Sequence, residues 1–117
     1  WTNYTNQPQM LAQALSHSLA TYLASDGEEI VGLVRLIGDG FSSVFVQDLI
    51  VLPSYQRQGI GSTLMKQALS DYKDTYQIQL ATEESEKTLG FYRSLGFETL
   101  SSFQCTGMIL VDRKKLK

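Results

Sequence analysis

The segment Asp48-Leu49-Ile50-Val51-Leu52-Pro53-Ser54-Tyr55-Gln56-Arg57-Gln58-Gly59-Ile60-Gly61-Ser62 runs from an apolar strand, through a glycine pair, into the start of an amphipathic helix. Beyond Gly61, apolar residues at Leu64, Met65, Ala68, Leu69 and Tyr72 follow the helical period, so the helix begins at the glycines. The first amides of a helix have no intrahelical acceptor, and they sit at the positive end of its macrodipole. A loop feeding such an end can hold an anion with backbone alone. Gly59 and Gly61 place no Cβ in the ligand's way, and Arg57 adds a positive charge beside them. The segment reads as a pocket for a pyrophosphate.

Two familiar phosphate loops fit less well. A Walker loop requires Lys before its Ser or Thr, and Gly61-Ser62-Thr63 has none. A dinucleotide fingerprint requires a third glycine where this chain has Leu64, and an acidic residue near Gln79, Leu80 and Ala81. An ordinary tight strand-to-helix connection, its glycines serving packing, is the plain alternative.

Read as Gln56-x-x-Gly59-x-Gly61 after Leu49-Ile50-Val51-Leu52-Pro53, the segment resembles the acetyl-CoA-binding motif of the GNAT (GCN5-related) N-acetyltransferases. Gly90-Phe91-Tyr92-Arg93-Ser94-Leu95-Gly96-Phe97 resembles the same family's Phe-Tyr-x-x-Leu-Gly-Phe helix and turn. Two motifs in the right order are far more specific than either alone, and with the intervening helix and strand they cover about half the chain. Ile30-Val31-Gly32-Leu33-Val34-Arg35 extends the similarity toward the N-terminus. The resemblance implies an α/β fold with a mixed, mostly antiparallel central sheet flanked by helices and splayed around the acetyl-CoA site.

The 117 residues, 43% of them hydrophobic, suffice for one core and are too few for two ordinary domains. A single domain over residues 1–117 is expected, lacking the family's N-terminal strand and part of its first helix. A net charge of -2 provides no basic field for nucleic acid, and the basic run 113–117 reads as a solvated tail. No apolar run approaches membrane-spanning length and no secretory leader is visible, so a cytoplasmic protein without membrane partners is expected. The lone Cys105, among Phe103, Met108 and Ile109, reads as a small core or strand residue. His17, where a helix ends, reads as a surface or capping residue; no metal site is expected.

Pro8 suits the first turn of a short helix carrying Met10, Leu11, Ala14 and Leu15 on one face. The stretches 18–25 and 30–37 form a hairpin around Asp26-Gly27, and 43–51 is a third antiparallel strand. After the glycine loop and its helix, residues 77–81 return parallel to the third strand. Ser85 or Thr82 starts a further helix that stops at Gly96. Residues 97–103 and 108–111 are expected to supply a closing pair of strands.

By resemblance, the pantetheine arm pairs with the backbone of Leu49, Ile50 and Val51, and the amides of Arg57, Gln58, Gly59, Ile60, Gly61 and Ser62 hold the pyrophosphate, with Gln56 adding side-chain contacts. Carried over by motif, Tyr92 is the general acid that protonates the departing thiolate. The resemblance also implies that the Val51 N–H polarises the thioester carbonyl. Asp48 is the titratable residue on the third strand near the reacting centre, a candidate general base or else a structural hydrogen-bonding group. Glu83 and Asp39 are further candidates, Asp39 most simply as a turn former. Ser85 stands where many members carry a pantetheine-binding Asn, and it reaches less far.

The resemblance thus implies transfer of the acetyl group of acetyl-CoA to a primary amine of a small molecule or a protein, in a ternary complex. A homodimer pairing through the last strands is a further expectation. The alternative is a catalytically idle acyl-CoA-binding or interaction module; Tyr92 together with the glycine loop favours the enzyme. A nucleotide-binding domain of another family ranks last. Trp1, Tyr4, Phe41 and Phe103 are candidates for an apolar acceptor pocket, or simply core.

Overall fold

The computed structural model describes residues 7–115, and these fall into two compact units divided after Leu80. The first unit opens with α1, Pro8–Ser16, which has its proline at N1 and is closed by His17, whose amide bonds back to the Gln13 carbonyl. Trp1 and Tyr4 lie outside the described residues. Strands β1 (Ala20–Asp26), β2 (Glu29–Gly38) and β3 (Ser43–Val51) follow as antiparallel neighbours joined by two hairpins. Helix α2, Ile60–Asp71, then crosses over to β4, Gln77–Leu80, which pairs parallel with β3. The sheet order is β1-β2-β3-β4. The mixed, mostly antiparallel sheet expected from the sequence is present.

Strand β2 is the centre of the core. Its residues from Val31 through Leu36 are all buried, as a strand covered on both faces requires. One face is set by Gly32, where an added Cβ would stand 3.0 Å from Ile60 Cγ2 and 3.2 Å from Leu64 Cδ1. That face therefore meets α2, and Val34, Leu36, Val44 and Val46 share the core with Leu64, Met65 and Ala68. Tyr22, paired with Val34, is on the same face and its hydroxyl donates to Asp71 Oδ2 at the helix's far end. The other face of β2 carries Leu33 and Arg35.

Asp39 closes the β2–β3 hairpin. Its carboxylate accepts from the Ser42 hydroxyl at 2.6 Å and from the amides of Phe41, Ser42 and Ser43, which hold its pKa well below the ordinary carboxylate value. It is a turn former, and the loop it organises leaves Phe41 exposed instead of in the core.

In the second unit, α3 spans Glu86–Ser94. Ser85 is its N-cap, accepting from the Thr88 amide at 3.2 Å. Leu95 caps the other end, and Gly96 follows at φ +100°, where a side chain would be strained. The closing pair of strands is not formed. Residues from Leu100 to Phe103 make a turn of 310 helix, and no strand occupies 97–115 among the described residues. Local bonding explains the first segment: the Ser102 amide and hydroxyl both donate to the Thr99 carbonyl, and the Cys105 amide donates to the Leu100 carbonyl, curling the backbone before it can extend. Cys105 and Phe103 are consequently exposed, not core residues.

Candidate functional site

Strand β3 changes partners along its length. Its register with β4 runs only from Ser43 to Val46, ending at Leu80, whereas its register with β2 continues through Val51. The segment Asp48-Leu49-Ile50-Val51 thus pairs with β2 alone in this sheet. The alternation of an antiparallel ladder says which groups point where. The Leu52 amide donates to the Val31 carbonyl at 2.9 Å, so Ile50, two residues back and opposite Leu33, turns its amide and carbonyl toward β2. Leu49 and Val51 turn theirs the other way.

A β-bulge lies at the point where the β4 pairing ends. Arg35 pairs with Asp48, but the next residue, Leu36, pairs with Val46, leaving Gln47 as the extra residue of β3. Before the bulge, Val44 and Val46 face α2; after it, Leu49 and Val51 do, while Asp48 lies on the opposite face beside Arg35. There the Arg35 Nε donates to Asp48 Oδ2 at 2.7 Å, with the two side chains only 7% and 14% exposed. Arg35 Nη1 also donates to the Ser18 hydroxyl at 3.2 Å, and that hydroxyl donates to the Ala14 carbonyl of α1 at 2.7 Å. Asp48 therefore answers the cost of a carboxylate inside an apolar strand by pairing.

Past β3 the chain makes a single 310 turn, Pro53–Tyr55, and enters α2 through a strained stretch. Arg57 sits at φ +65° and Gly59, the N-cap, at φ +81°. For an arginine the left-handed region is costly, for glycine it is not. An added Cβ on Gly59 would meet nothing within 4 Å, so the glycine borders open space. No side chain caps α2 and no acidic residue stands in its first turn among the described residues, and the side chains from Gln56 to Gln58 are exposed. Uncapped amides, the helix dipole and Arg57 together fit an anion.

Two side chains anchor this turn. Gln56 Nε2 donates to the Val51 carbonyl at 2.9 Å, tying the loop to the end of β3. The Tyr55 hydroxyl donates to Asp26 Oδ2 at 2.7 Å, reaching the β1–β2 hairpin, and that bond pushes its pKa up to about 12. Neither Tyr55 nor Arg35 stands out as a site residue in the sequence; the available signals were a charge within the apolar run 30–37 and a tyrosine inside the loop.

In the second unit, Tyr92 is half-buried on α3, edge-on to Phe91 at 5.1 Å and to Phe97 at 5.9 Å between ring centroids. Burial raises its pKa above the ordinary 10.0, so the phenol keeps its proton. Glu83 accepts from the Thr88 hydroxyl at 3.3 Å, and Ser85 bonds the same residue, so both belong to the N-terminal cap of α3.

The chain matches, over residues 1–115, the family model described as an acetyltransferase (GNAT) domain. It belongs to the GNAT family. A GNAT-family acetyltransferase from Streptococcus pneumoniae TIGR4 superposes with a TM-score of 0.86 at 65% identity, covering 96% of this chain and 90% of that one. A GNAT acetyltransferase from Elizabethkingia anophelis, solved with acetyl-CoA bound, gives 0.65 at 26% identity over 80% of this chain and 63% of that one. Serotonin N-acetyltransferase 2, chloroplastic, of Oryza sativa subsp. japonica is 33% identical over 78% of this chain. The chain spans 48% of that rice relative. No helix among the described residues is long and apolar enough to cross a membrane.

Proposed function

We propose that this GNAT domain is an acetyl-CoA-dependent N-acetyltransferase that delivers the acetyl group to a primary amine, of a small molecule or a protein, within a ternary complex. The observation that carries the reading is the β3 segment from Leu49 to Val51, which lies beyond the end of the β4 pairing at Val46 and leads through a short turn to an uncapped helix start. A flexible diamide arm suits strand-like backbone partners, and a pyrophosphate suits converging amides, a dipole and Arg57. The acetyl-CoA bound to the Elizabethkingia relative supports the choice of ligand.

In this reading the Leu49 and Val51 backbone receives the pantetheine arm, with the Val51 N–H polarising the thioester carbonyl. Gln56 holds the Val51 carbonyl and so keeps the strand end in place. Tyr92, kept protonated by its surroundings, donates its proton to the departing thiolate while the amine attacks the thioester directly. Ser85 keeps its capping duty in preference to a ligand contact. Asp48 is assigned to structure and not to proton abstraction, because taking a proton would leave the buried Arg35 guanidinium without its anion. The amine's proton leaves by way of water. Self-association is a separate proposal, read by sedimentation.

Thiol release from acetyl-CoA with a panel of amines, compared between native protein and Tyr92→Phe, tests the reading. Turnover on at least one amine, lost in the variant while CoA still binds, is expected. Tight CoA binding with no turnover on any amine would identify an idle acyl-CoA-binding module instead.

A further inference from the structure

The buried ion pair lies at the β-bulge, and the coincidence has geometric content. Arg35 and Asp48 are the last register partners before the shift, and Leu36 and Val46 are the first after it. Without the extra residue Gln47, the two-residue alternation of β3 would continue from Val44 and Val46 to Asp48, placing its carboxylate on the face that meets α2. That face holds Val34, Met65 and Ala68, each 2% exposed or less, and among the described residues it has no buried residue of opposite charge. The same slip would strand Arg35, 6% exposed, on the other face. It would also exchange the backbone groups at the strand's open edge. Asp48 and Ile50 would turn outward, and Leu49 and Val51 would turn in toward β2.

We infer that the Arg35–Asp48 ion pair is a register lock that fixes the bulge at Gln47 and thereby decides which β3 amides face coenzyme A. Apolar contacts alone specify this register weakly, since Leu49, Ile50 and Val51 are similar in size and are all partly exposed. A buried pair specifies it strongly, because every neighbouring register leaves two charges without each other. Arg35 is accordingly a positioning residue: it reaches the ligand only through the strand it registers. Its second bond, to Ser18, ties the lock to the end of α1, so the β3 register is also referenced to the helix that precedes the sheet. The inference rests on the coenzyme A reading of the β3 edge, and its test separates the two.

The experiment replaces the pair by apolar residues of similar volume, Arg35→Met with Asp48→Leu, a change that commonly leaves a buried site as stable as before or more so. Three quantities are read: the thermal midpoint, CoA affinity by calorimetry, and amide exchange along β3 by NMR. In the native protein without ligand, the Ile50 amide should exchange more slowly than those of Leu49 and Val51. The double variant is expected to fold with a midpoint at or above native, to lose this alternation, and to bind CoA at least tenfold more weakly. A folded double variant with native alternation and native CoA affinity overturns the lock. Should the double variant fail to fold, Arg35→Lys decides: it keeps the cation but loses the planar fork. An affinity loss of about threefold or more supports the lock, and native affinity refutes it. Native protein that shows the alternation but binds no CoA refutes the ligand reading and leaves the lock to be judged by exchange alone.

Discussion

Gly59 offers the sharpest test of whether the turn after β3 is a ligand cradle or a tight connection. Its φ of +81° and ψ of 6° place it in the left-handed region, and an added Cβ would touch nothing within 4 Å. Gly59→Ala should therefore cost only the conformational term. An L-residue held in this region loses roughly 1–2 kcal/mol, and the smaller freedom of alanine in the unfolded chain returns about 0.4–1 kcal/mol. The net destabilisation is about 1 kcal/mol, which for a domain of this size lowers the melting temperature by roughly 4 °C. Gly59→Asn should recover part of that, because asparagine tolerates the left-handed region better than other side chains. Coenzyme A affinity should behave differently. If the open space beside Gly59 is where the pyrophosphate lies, any side chain obstructs it, and both variants should bind at least about tenfold more weakly despite their different stabilities. Thermal melts paired with calorimetric titration by CoA read the two effects separately. If both variants melt as stated yet bind CoA like the native protein, the glycine serves backbone geometry alone and the cradle reading fails.

Three other outcomes follow from the same structure. Tyr92→Phe should lower kcat by about 10²-fold or more, with CoA affinity unchanged in calorimetry; because burial raises the phenol's pKa, the native acid form persists below pH 10 and is lost only as pH rises through the raised value, so the Tyr92 limb of a kcat/KM profile should lie on the alkaline side of 10.0. Arg57→Gly should weaken CoA binding through loss of the cation, yet leave stability within about 1 kcal/mol of native, since relief of a left-handed arginine offsets the entropy glycine adds to the unfolded chain. Asp39 has a lowered pKa, so its contribution is present above the ordinary carboxylate value of 3.8 and disappears as pH falls through the folded value; acid denaturation of Asp39→Asn should lack that component.

What could be read from the sequence depended on how local the cause was. The limits of β3 follow from its own composition between two glycine-rich turns, and the period after Gly61 placed α2. Pro8, Ser85 and Gly96 act on backbone within a turn of themselves, so their positions were legible. The bulge was not: Gln47 is extra only relative to β2, and one strand's sequence carries no record of its partner's register. The Arg35–Asp48 pair joins positions 13 apart and Tyr55–Asp26 joins positions 29 apart, and nothing near either residue announces the other. The segments 97–103 and 108–111 misled because strand composition is only permission to pair. The first curls on its own hydroxyl and carbonyl groups, and the second has no neighbouring strand among the described residues.

That second segment bears on how the protein behaves at concentration. Met108 and Leu110 are 96% and 98% exposed, and Ile109 and Val111 flank them with large parts of their surface in water. Four consecutive apolar residues outside any strand among the described residues form a short adhesive stretch, the kind of sequence through which chains find one another non-specifically. Asp112, Arg113, Lys114 and Lys115 come immediately afterwards. Charges in that position act as gatekeepers: a second chain laid alongside in parallel brings Arg113, Lys114 and Lys115 against their own copies. The basic tail thus acquires a physical task apart from ligand binding, and raising the ionic strength, which screens those charges, should promote precipitation instead of preventing it.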